Sequence, residues 1–70
     1  MNELINPSEM AQEIRRRLRR HETPLVLNRR TRDQLSTEET IVLAGMSAEE
    51  GYVPDYDERT DVLTLRQRVQ

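Results

Sequence analysis

The sequence predicts an α+β fold with a small three-stranded antiparallel sheet, its elements in the order helix, strand, helix, short helix, strand, strand. Three observations carry this expectation. Residues 6–22 open on a capping signature and continue with apolar side chains at helical spacing, Leu25-Val26-Leu27 is a short apolar run, and from Tyr52 the pattern alternates every two residues.

The first helix is expected to begin at Asn6 as N-cap, with Pro7 at the first helical position and Glu9 completing a capping box. A step of about 100° per residue puts Met10, Ala11, Ile14 and Leu18 on one stripe, which Leu25 can join. Leu4 and Ile5 can staple the start. Five arginines, Arg15, Arg16, Arg17, Arg19 and Arg20, spread over the remaining circumference, with Glu13 in reach of Arg16 and Arg17. The helix should run to about His21, since the residue before Pro24 is pushed out of the α region. His21, the one histidine, fits a helix C-terminus, where its cationic form favours the dipole, better than it fits catalysis.

Leu25-Val26-Leu27 suits a strand. Residues 28–35 read as an irregular charged segment in which Arg29, Arg30 and Arg32 form a second basic cluster. Ser36-Thr37-Glu38-Glu39 is a further capping box, and Gly45 stands where a left-handed C-terminal residue is expected. A helix of two to three turns follows from caps at both ends; β-branched Thr40, Ile41 and Val42 make a buried strand over 40–44 its rival. Ser47-Ala48-Glu49-Glu50 repeats the capping pattern, but Gly51 and Pro54 limit it to one turn.

Residues 52–56 and 61–69 read as a hairpin around a turn at 57–60. That register pairs Tyr56 with Asp61, Pro54 with Leu63 and Tyr52 with Leu65, so Tyr52, Leu63, Leu65 and Val69 share a face. Pro54 has no N–H to donate, which assigns its strand to an edge and makes 61–69 the centre, flanked on the other side by 25–27.

Composition narrows the function. Seventy residues make one domain, too short to bury more than about 60% of its unfolded surface. There is no cysteine, so no disulfide or thiolate metal site, and the only aromatic side chains are Tyr52 and Tyr56. A homodimer that shares a helix stripe would supply the missing burial. The absence of a long apolar run and of a signal-peptide pattern predicts a soluble, cytoplasmic protein. The net charge of −2 hides an asymmetry: residues 1–35 carry eight Arg and five acids, giving +3, and residues 36–70 three Arg and eight acids, giving −5. Opposed charge of this kind marks an interaction protein.

No catalytic constellation is expected. Ser8, Ser36 and Ser47 fall at helix starts, the paired glutamates belong to first turns, and no glycine-rich phosphate loop or zinc spacing occurs. Asp55, Asp57 and Asp61 imitate part of a calcium loop, yet Arg59 and Thr60 stand where an oxygen ligand and a glycine are required. No cofactor or metal is expected.

The element order resembles that of small winged helix-turn-helix domains, with 48–55 in the place of a recognition helix. That segment is acidic and broken by Gly51 and Pro54, which argues against base reading through it. Ser8 to Arg29, a helix leading into Pro24-Leu25-Val26-Leu27-Asn28-Arg29, is similar to the opening of small antitoxin repressors of the Phd and YefM type; no residue role is carried over. The leading functional expectation is a small non-enzymatic regulatory or inhibitory protein that docks on a protein partner. The alternative is a nucleic-acid-associated regulator of winged helix-turn-helix type, binding phosphates through Arg15, Arg16, Arg19, Arg20, Arg29 and Arg30.

Overall fold

The computed structural model describes residues 6–68 and contains α1 (Glu9–Arg19), β1 (Leu25–Leu27), α2 (Arg29–Asp33), α3 (Thr37–Glu49), β2 (Tyr52–Asp57) and β3 (Val62–Gln67). The expected α+β class and the three-stranded antiparallel sheet are both present, with β3 between β1 and β2 as the proline argument requires. The expected staple at Leu4 and Ile5, and Val69 on the hairpin face, lie outside the described residues.

The start of α1 differs from expectation by two residues. Ser8, not Asn6, is the N-cap, and its hydroxyl accepts from Ala11 N at 3.1 Å. Tertiary structure selects this start. The N3 residue Ala11 has no carboxylate to close a capping box, so Glu39 of α3 fills that role from a distance, accepting from Ser8 N at 2.7 Å. Glu39 also closes the capping box of its own helix, accepting from Ser36 N at 2.9 Å. One carboxylate therefore satisfies the N-termini of two helices and holds them together.

α1 ends on a left-handed residue. His21 has φ 57, its N–H bonds Leu18 O at 3.1 Å, and Glu22 N bonds Arg17 O at 3.2 Å, which is the paired-bond pattern of a Schellman motif. The Thr23–Pro24 peptide that follows is cis. Tyr52 then fastens the sheet to this end: its hydroxyl donates to Glu22 O at 2.8 Å while its ring is buried, and burial raises its pKa.

The helices after β1 are divided differently from expectation. Residues 28–35 are not irregular: Asn28 accepts from Thr31 N at 2.8 Å and caps the short α2. The Ser36 capping box is present as expected, and the strand rival over 40–44 is absent. Gly45, however, does not end α3. The helix runs on through Ser47 to Glu49, and the left-handed terminal residue is Gly51, φ 84. Leu43 and Ser47 are buried four residues apart and Met46 packs beside them, so continued packing of this face outweighs the local cost of a helical glycine, about 1 kcal/mol. Ser47 is thus an interior helix residue and not a third N-cap.

The hairpin register is shifted by two from expectation: Tyr56 faces Leu63, Pro54 faces Leu65 and Tyr52 faces Gln67. The turn decides it. Asp57 joins the ladder opposite Val62, its carboxylate accepts from Arg59 N at 2.9 Å, and Asp61 closes the loop with φ 55. A shift of two preserves the faces, so Leu65 and Tyr52 still point to the core. That core is small: Ala11, Ile14 and Leu18 of α1, Leu25 and Leu27 of β1, Leu43, Tyr52 and Leu65. Met10, Leu35, Met46 and Leu63 pack at its margin.

Candidate functional site

Most of the arginines named from sequence are exposed, but they do not form one free basic face. On α1, Arg16 pairs with Glu13 at 3.1 Å and Arg17 with Glu22 at 2.8 Å, while Arg20 lies 3.9 Å from the same Glu22. On α2, Arg29 lies 3.7 Å from Asp33 and 3.8 Å from Asp61. Arg15, Arg19 and Arg30 make no ion pair among the described residues. α1 packs mainly on α3 and α2 mainly on β1, so the two clusters stand on elements with different neighbours.

Arg32 has a structural task. Its guanidinium donates to Asp61 Oδ1 at 2.6 Å and to the Asp61 carbonyl, while Tyr56 donates its hydroxyl to the same Oδ1 at 2.6 Å. The guanidinium also sits over the Tyr56 ring, 5.5 Å from its centroid. The bond from Arg32 holds the Asp61 carboxyl below its usual range, and the bond to Asp61 raises the Tyr56 phenol. This cluster clamps the hairpin turn to α2.

The clamp stands at one end of an open, mostly apolar pocket of about 430 Å³ between α3 and the hairpin. Its floor is Leu18, Leu43 and Leu65; one wall is the row Thr40, Ala44 and Ala48 of α3, and the other is Pro54 and Leu63. Helical stepping continues that α3 wall outward through Thr37, Ile41 and Gly45 before the first charges, Glu38 and Glu49, are reached. Ile41 is 64% exposed, the most exposed of the large apolar side chains among the described residues. The helix carries three glutamates and no basic residue.

Sequence reasoning missed this surface for two reasons. Ending the helix at Gly45 removed Ala48 from its wall, and the hairpin register put Pro54 opposite Leu63 instead of Leu65. The signal present in the sequence was the i, i+4, i+8 series Thr40, Ala44, Ala48, small side chains on one helical row.

Chemistry has few materials elsewhere. His21 stacks on Tyr52 with ring centroids 6.5 Å apart, and its Nε2 lies 3.8 Å from Glu50. Ser8 and Ser36 act as caps. Among the described residues no three His, Asp or Glu side chains gather as a metal site, no helix is long and apolar enough to cross a membrane, and no buried side-chain polar atom lacks a partner. No protein-family model, curated protein or solved structure matches the chain.

Proposed function

We propose that this chain is a small non-enzymatic regulatory or inhibitory protein that acts by docking on a protein partner, and that α3 with the adjoining pocket is the docking surface. One observation carries the reading: the α3 wall of the pocket, Thr40, Ala44 and Ala48, adjoins by helical stepping an uncharged face that includes exposed Ile41. Beside an apolar cleft the exposed Ile41 extends the cleft's apolar surface, and contiguous apolar surface of this kind marks interaction sites. The element order and the sheet order support a winged-helix-like arrangement, in which α3 occupies the place of the recognition helix. Its composition supports protein over base edges, since it offers no Arg, Lys, Asn or Gln.

A photo-crosslinking side chain placed at position 44 in host cells tests the proposal, with position 19 on α1 as comparison. Capture of one discrete protein from position 44 is expected. Capture only from position 19, as nucleic acid, would favour the alternative, phosphate binding through Arg15, Arg19 and Arg30. That alternative also requires a gel shift whose affinity falls steeply with salt; absence of binding to any duplex or single strand at about 100 µM removes it.

A further inference from the structure

We infer, on the docking reading above, that the occupant of the pocket is an amphipathic helix whose apolar anchors are bordered by Lys or Arg. The wall of the pocket is the row Thr40, Ala44, Ala48, spaced by four residues, and small side chains on such a row let a second helix approach closely with its own ridge in the groove. An added strand is a poorer fit. The sheet has two edges: β1 is only three residues long, and β2 carries Pro54 in its middle, which has no N–H to offer a partner backbone.

Charge identifies the border residues. Glu38 and Glu49 both lie along the outer edge of the uncharged face, on the side away from the pocket, stand about 16 Å apart along the axis, and pair with no cation among the described residues. A partner helix carrying basic residues at a matching separation meets both, whereas an acidic partner meets repulsion at each end. A second copy of this chain is a worse match: an antiparallel two-fold pairing of α3 faces sets Glu38 against the second copy's Glu49. The exposed residues of α1 (Glu9, Gln12, Glu13, Arg16 and Arg19) include no apolar anchor to insert instead.

The experiment is selection of peptides from a random display library on the immobilised full-length chain, with the Ile41→Arg protein as counter-target. Position 41 is solvent-facing, so this variant keeps its fold, which a thermal melt verifies. The expected consensus has apolar residues at i, i+4 and i+7 with at least one flanking Lys or Arg. In fluorescence anisotropy the synthesised consensus peptide should lose about tenfold in affinity for the Glu38→Arg, Glu49→Arg double variant. No enrichment over the counter-target, an extended or acidic consensus, or affinity unchanged by the double variant would overturn the inference. So would dimerisation of the free protein that Ile41→Arg abolishes, which would assign the pocket to a second copy. If peptides of this chemistry fail while the crosslink from position 44 still captures a protein, the occupant is misassigned and the docking reading stands.

Discussion

Replacing Gly45 by alanine should stabilise the protein, and the sign of the effect is diagnostic. Gly45 lies inside α3 with ordinary helical backbone, and a Cβ built on it meets nothing within 4 Å. The substitution therefore removes only the excess freedom of glycine in the unfolded chain, a gain of about 0.4–1 kcal/mol. For a domain of this size that raises Tm by about 2–8 °C. Gly51 is the internal control. Its φ of 84 disfavours any side chain, and a Cβ would come within 3.1 Å of Gln67 Nε2. The amide end of Gln67 can move, so the backbone conformation sets the loss for Gly51→Ala, about 1–2 kcal/mol. Thermal melts followed by circular dichroism, with urea midpoints at unchanged m, measure both variants. If Gly45→Ala lowers Tm as Gly51→Ala does, the helix ends at Gly45, the wall formed by Ala48 does not exist, and the docking surface falls with it.

Other outcomes follow from the same contacts. Glu39→Gln should lower Tm at neutral pH, because the acceptor shared by the Ser8 and Ser36 N–H groups weakens. Those bonds, that from Ser36 first, hold the Glu39 pKa below its ordinary value of 4.5. Its contribution to stability is therefore complete above that value and lost as pH falls through the lower folded value, so wild-type melts should show an acid decline that Glu39→Gln flattens. Leu18→Ala, at a side chain with no exposure, should cost about 2–5 kcal/mol and leave a protein this small largely unfolded in a urea titration extrapolated to water. Asp61→Asn should move the Tyr56 phenol back towards its ordinary titration range in ultraviolet difference spectra, while Tyr52, raised by burial, stays where it is.

The parts of the fold legible in sequence were those set by periodicity. The stripe Ala11, Ile14, Leu18 and the inward faces of Leu63, Leu65 and Tyr52 follow from spacings of four and two, and Pro54 alone sufficed to order the sheet. The misplaced features were ends and registers. α1 starts at Ser8 because a carboxylate 31 residues away caps it, and no local pattern encodes that bond. Gly45 and Gly51 are alike as letters, and only the packing of Leu43, Met46 and Ser47 against the rest of the chain tells which one terminates the helix. The arginines are the most numerous charged side chains of the N-terminal half, yet Arg16, Arg17, Arg29 and Arg32 are engaged by nearby carboxylates, and the surface with an exposed apolar face lies on an acidic helix.

Crosslinking yield from position 44, measured in three backgrounds, puts the docking surface to the most direct test: unaltered, Ile41→Arg, and the triple change of Arg15, Arg19 and Arg30 to Glu. Each background is first shown to melt cooperatively. The account predicts that Ile41→Arg reduces capture of the partner to background and that the arginine triple leaves it in place. Loss of capture with the triple and persistence with Ile41→Arg would contradict it.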